Sequence, residues 1–266
     1  MDTLSDFERD SFTHDSATRT VYRKGTGPGV VVISEVPGIT PEMADFARRV
    51  VDEGFTVAMP DLFGKPGKTN SVAYTLDTIA RVCVSSEFTM FARGRASPVT
   101  EWLRALGRDL HERAGGPGIG AVGMCLTGGF ALAMMVEPSM LVPVLSQPSL
   151  PFAMVPGRAA ELGISDGDLE VVKQRCENED LCVMGLRFTS DRMVPKARFD
   201  RLRREFGDRF VAIELDPKDA NPNPPIPAPP HSVLTGHLID EPGQPTYEAR
   251  EQVMQLFRDR LVVTGG

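Results

Sequence analysis

Apolar residues along this 266-residue chain fall in short unbroken runs separated by longer amphipathic stretches. A strand is expected over Val30 to Val36, whose opening run Val30–Ile33 is β-branched and continuous, the pattern of a strand buried on both faces. Pro41 opens the next stretch, where proline suits the first turn of a helix. Met43, Phe46, Ala47, Val50 and Val51 then recur at helical spacing until Gly54. Phe55 to Met59 predicts a further strand, as do Ile119–Met124, Leu141–Leu145, Leu181–Phe188 and Phe210–Leu215. Helices are predicted near 99–113, 129–137, 195–206 and 245–262. Strands alternating with helices predict an α/β protein with a mostly parallel, doubly wound sheet. Chemistry on such a sheet gathers at the carboxyl ends of its strands.

Three stretches break the alternation. Residues 1–19 read as a polar N-terminal arm, leaving 20–266 as a single α/β domain. Residues 62–98 hold Gly, Pro, Lys and Arg early and then an irregular stretch through Cys83 and Phe91, and read as a cap or a wall of the active site. Residues 217–230 hold Pro217, Pro222, Pro224, Pro225, Pro227, Pro229 and Pro230, so this run is extended and stiff and leads directly into a histidine.

Composition narrows the function. A net charge of −7 with no basic stripe argues against a nucleic-acid partner. No apolar run approaches the ~18 residues of a membrane span, and the polar N-terminus lacks the apolar stretch of a secretory signal. A cytoplasmic protein is expected. Cys83, Cys125, Cys176 and Cys182 form no metal-ligand spacing, so they are expected to be free thiols.

One cysteine stands apart. Gly123-Met124-Cys125-Leu126-Thr127-Gly128-Gly129 follows an apolar run and precedes a helical one. Strand, sharp turn and helix is the setting of a nucleophile elbow, here with sulfur in place of the usual serine oxygen. Such a thiol needs a base, and the base an orienting acid. His14 and His111 read as solvated. His231 and His237 both follow the proline run, and His231 is favoured because it comes directly off the stiff segment. Asp191 and Asp216 each end a predicted strand, and chain order does not separate them. Glu35, a carboxylate after Val-Val-Val-Ile-Ser, is costly unless paired or wet, and its strand can end beside the elbow.

The ordered set Ser34-Glu35-Val36-Pro37-Gly38, Ala58-Met59-Pro60-Asp61-Leu62-Phe63, the Cys125 elbow, Asp191-Arg192-Met193-Val194-Pro195 and His231-Ser232 resembles the dienelactone hydrolase family. The resemblance spans about residues 28 to 260. It implies an α/β-hydrolase fold with a Cys-Asp-His triad of Cys125, Asp191 and His231. It also implies that Glu35 touches the resting thiol and helps deprotonate it. The backbone N–H groups of Leu126 and Val36 would form the oxyanion hole, Arg81 would be a substrate contact, and neither cofactor nor metal is implied.

The chain departs from the family pattern at several points. Thr127 and Pro230 stand where glycines are usual, and Thr235 replaces an arginine that holds a substrate carboxylate. The span from Cys125 to Asp191 is long, which predicts that residues 148–178 form an added or altered segment over the site. The expected activity is hydrolysis of a small ester or lactone through a thioester, or transfer of the acyl group to another acceptor. The rival is a catalytically weak hydrolase-fold protein that binds a small molecule or senses oxidants through Cys125.

Overall fold

The computed structural model describes residues 3–84, 97–153 and 155–262. Eight strands, β1 Glu8–His14, β2 Ala17–Lys24, β3 Gly29–Ile33, β4 Thr56–Pro60, β5 Ile119–Met124, β6 Met140–Ser146, β7 Val183–Phe188 and β8 Phe210–Leu215, form one sheet in the order β1-β2-β4-β3-β5-β6-β7-β8. From β4 to β8 every neighbour pair is parallel, while β1 and β2 join antiparallel at one edge. The helices of the described residues are α1 Pro41–Asp52, α2 Val72–Val84, α3 Pro98–Ala114, α4 Gly128–Met134, α5 Asp166–Asn178, α6 Lys196–Phe206 and α7 Pro245–Leu261.

The all-apolar strands divide their side chains between the two faces, as a period of two requires. On β3, Val30 and Val32 join the core built with α1 and α7, whereas Val31 and Ile33 join the core built with α3 and α4. Helix α1 begins where Thr40 accepts from the Met43 N–H at 3.4 Å and Pro41 takes the first helical position. It buries Met43, Phe46, Ala47 and Val50. The parallel core of the sheet and its flanking helices define an α/β fold, as the alternation predicted.

Two expectations need correction. Residues 3–19 are not a polar arm. Residues 8–14 pair with 17–24 as a hairpin that widens the sheet, and Leu4 and Phe7 are buried. Phe12 meets the Trp102 ring edge-on at 5.4 Å, and Trp102 Nε1 donates to Ala17 O at 3.1 Å. On β1 only Phe12 is apolar, so the period-two pattern that marks a strand is nearly silent there. Residues 62–98 are not wholly irregular either: α2 occupies 72–84, while 85–96 lie outside the described residues. Of Cys83 only its helical backbone is described.

Candidate active site

The site is assembled at the carboxyl ends of β3, β5, β6 and β7. Parallel pairing sets Ile33 beside Gly123, so the chain leaving β3 through Ser34, Glu35 and Val36 runs alongside the chain leaving β5 through Cys125 and Leu126. Cys125 has φ 55°, a left-handed conformation that costs a non-glycine residue of order 1–3 kcal/mol. The surroundings hold that turn. A Cβ on Gly123 would lie 2.3 Å from Thr127 O, and one on Gly128 would lie 2.6 Å from Pro148 Cα, so both positions require glycine for close approach.

Thr127 does not loosen the elbow. Its Oγ1 accepts from the Met124 N–H at 2.9 Å and faces the carbonyls of Met124, Ile33 and Ser34 at 2.8, 3.1 and 3.2 Å. The side chain therefore ties the ends of β5 and β3 to the turn where a glycine would leave them unlinked.

His231 and Asp191 come together with Cys125. Asp191 Oδ2 lies 2.6 Å from His231 Nδ1, and its Oδ1 accepts from the Met193 N–H at 2.8 Å, which fixes the carboxylate. His231 Nε2 is buried and within electrostatic reach of the Cys125 sulfur, but has no partner in hydrogen-bond geometry. Burial works against the charged imidazolium. The neighbouring Cys125 thiolate and Asp191 outweigh it and raise the His231 pKa well above the ordinary 6.5.

The two rivals lie elsewhere. Asp216 turns its carboxylate to the Lys218 N–H at 2.9 Å. Buried His237 accepts at Nδ1 from the N–H groups of Ser232 and His231, at 3.2 and 3.4 Å, and its Nε2 reaches Ala228 O at 3.3 Å. It braces the loop that carries the other histidine.

The expected contact between Glu35 and the resting thiol is not formed. Glu35 Oε2 accepts from Ser232 Oγ at 2.7 Å and Gln147 Nε2 at 3.1 Å, and Oε1 accepts from the Thr235 hydroxyl. Three donors draw the carboxylate toward the histidine loop. Gln147 was not foreseen; its Oε1 also accepts from the Val233 N–H at 3.3 Å, so it joins β6 to that loop. Ser149 was not foreseen either, and its Oγ lies 3.4 Å from Cys125 Sγ. Both belong to Ser146-Gln147-Pro148-Ser149, an unusual polar run that is wholly buried at the end of an apolar strand.

Cys125, His231 and Asp191 open onto a cavity of about 540 Å³. Val36 lines it, and Leu126 follows the cysteine in the turn. The proline run forms much of its wall through Pro224, Pro225, Ile226 and Ala228, and Asn70, Thr75 and Ile79 close another side. Arg81 does not reach it. The arginine stands on the solvent side of α2, pairs with Asp77 one turn earlier at 3.1 Å, and lines a separate hollow. Arg192 does line the cavity onto which Cys125 and His231 open. The described residues between 150 and 178 contribute nothing to the cavity's lining, so that segment does not roof it; α5 packs instead on α4 and α6.

Among the described residues no group of three or more His, Cys, Asp or Glu side chains is placed to hold a metal ion, and no helix is long and apolar enough to cross a membrane. The described free thiols other than Cys125 are less acidic than usual: burial pushes Cys176 up to about 11 and also raises Cys182.

A sharp turn at Cys125 after β5, with Asp191 and His231 following later strands of a mostly parallel sheet, is the arrangement of the α/β-hydrolase fold. Residues 17–146 match the model of the Dienelactone hydrolase family, which bears out the resemblance read from the motifs. No curated protein matches the sequence. Among solved structures, it is similar to a dienelactone hydrolase-like promiscuous phosphotriesterase from metagenomic libraries, with TM-score 0.63, 18% identity, and 96% and 98% of the two chains covered. A Klebsiella pneumoniae protein described as a dienelactone hydrolase gives 0.61 at 15% identity, covering 95% of this chain and 96% of its own. The Pyrococcus furiosus esterase gives 0.54 at 15%, covering 97% and 94%. At such identities the likeness is one of fold.

Proposed function

We propose that the chain hydrolyses small ester or lactone substrates through a thioester on Cys125. The Cys125 thiolate attacks the substrate carbonyl, and the carbonyl π electrons move to oxygen, where the N–H groups of Leu126 and Val36 receive the charge. His231 gives its Nε2 proton to the departing alkoxide as the tetrahedral intermediate collapses to the thioester. It then takes a proton from an incoming water, and the resulting hydroxide displaces the thiolate as the carboxylic acid forms. Asp191 keeps Nδ1 protonated, so Nε2 is the nitrogen that exchanges protons.

The observation that carries this reading is the line from Asp191 Oδ2 through His231, 2.6 Å away, to the sulfur at the elbow. The apolar wall from the proline run favours uncharged acyl or alcohol groups. The test is Cys125→Ala, which abolishes p-nitrophenyl acetate hydrolysis while keeping the wild-type unfolding midpoint. Undiminished turnover in that variant would sink the proposal.

A further inference from the structure

Glu35 is engaged by Ser232, Thr235 and Gln147, so the sulfur of Cys125 takes its hydrogen bond elsewhere. Its partner is Ser149 Oγ at 3.4 Å. Ser149 is fully buried, and a hydroxyl in such a place is kept only with a partner.

The position of this serine is built from two directions. Its own N–H donates to Cys125 O at 2.9 Å, which locks its backbone to that of the nucleophile. The residues around it are pinned by Arg198, a buried side chain on α6. Arg198 Nη1 donates to Pro148 O at 2.6 Å, Nη2 donates to Pro151 O, and Nε donates to Glu161 O at 2.8 Å. Pro148 in turn sits against Gly128, at the start of the helix that follows the elbow. A buried guanidinium spent wholly on carbonyls is expensive, and burial pushes its pKa down to about 10. Its return is a loop that holds one hydroxyl against one sulfur.

The geometry points to Ser149 as a catalytic residue that donates its hydroxyl hydrogen to the Cys125 thiolate and so sets the fraction of thiolate available. This rests on Cys125 being the nucleophile. With a neutral thiol either atom can donate. Once the sulfur is ionised only the hydroxyl can, and hydrogen bonds to an ionised partner are the stronger kind. The bond therefore favours the charged form. When the sulfur turns to a carbonyl carbon the bond lengthens, which returns nucleophilicity to the anion as it reacts. The titratable or charged groups facing the cavity are Glu35, Glu42, Asp191, Arg192, His231 and His237, and Ser149 adds a fixed donor to them.

The experiment is the pH dependence of iodoacetamide alkylation at Cys125, followed by peptide mass analysis, in wild type and Ser149→Ala. Ser149→Gly, which also removes the hydroxyl, serves if the alanine variant folds poorly. Loss of the hydroxyl raises the alkylation midpoint by about one pH unit and slows alkylation roughly tenfold below that midpoint. The high-pH plateau stays level or rises, because a more basic thiolate is more nucleophilic. A merely structural defect would lower the plateau and leave the midpoint in place. An unmoved midpoint in both variants overturns the role of Ser149 and leaves the hydrolase reading intact. A wild-type Cys125 no more reactive at neutral pH than an unfolded cysteine overturns that parent reading as well.

Discussion

The hydroxyl of Thr235 donates to Oε1 of Glu35, in the position where the resembled family places an arginine. The residue that would grip a substrate carboxylate has become one that grips the protein's own. Removing that donor from a buried carboxylate leaves a lone pair unmatched. Thr235→Val, nearly the same size, is expected to lower unfolding free energy by about 1–2 kcal/mol. Urea denaturation checks it, and an unchanged midpoint would show that Glu35 does not depend on this bond.

The His231–Asp191 pair makes a kinetic prediction. Asp191→Asn removes the charge that supports the imidazolium and allows the other tautomer. Turnover of p-nitrophenyl acetate is expected to fall roughly a hundred- to ten-thousand-fold. Any residual activity should lose its alkaline limb at lower pH, because the His231 pKa then drops toward 6.5. A pH–rate profile with an unmoved alkaline limb would exclude Asp191 as the partner that raises it.

His237 predicts the acid side of stability. Burial holds its pKa below 6.5, so the unfolded chain takes the proton first. Its contribution is complete above pH 6.5 and is lost as pH falls through the folded value. Protonation also fills Nδ1, which then cannot accept from the loop N–H groups of His231 and Ser232. Thermal unfolding measured between neutral pH and about pH 5 should show this loss in the wild type. His237→Asn, with an oxygen to accept and no titration, should flatten it. His231 does not mask the effect, because its raised pKa takes stability away on the alkaline side.

Thr127 gives a result that runs against family pattern. Thr127→Gly restores the usual glycine, yet it removes the hydroxyl shared among Met124, Ile33 and Ser34 and frees the backbone of the turn. A loss of about 2 kcal/mol is expected in chemical denaturation. A gain in stability would mean that the threonine strains the elbow.

The elbow is legible in the sequence because strand, turn and helix each leave a separate mark within a few residues. Ile119–Met124 is apolar throughout, Gly123 and Gly128 permit close approach, and the next helix is equally apolar. Short motifs in family order single out Asp191 and His231 from among several carboxylates and histidines. Arg81 is a different case, because its position rests on a count across a loop. Helix α2 begins at Val72, and its winding turns that side chain outward. Glu35 departs in another way: the strand end is right, but the direction of its carboxylate depends on Ser232 and Thr235, about two hundred residues on. The hairpin of β1 and β2 is hidden because an edge ribbon with one apolar side chain on its first strand looks like a tail.

The four carbonyls that surround Arg198 belong to Pro148, Pro151, Arg158 and Glu161. The chain between Pro151 and Arg158 thus leaves and re-enters at one guanidinium, like a purse drawn closed by a single knot. The arginine thereby separates the stretch that touches Cys125 from the chain that follows it. For protein engineering, a loop grafted after Pro151 would sit next to the residues that support Cys125 without being one of them.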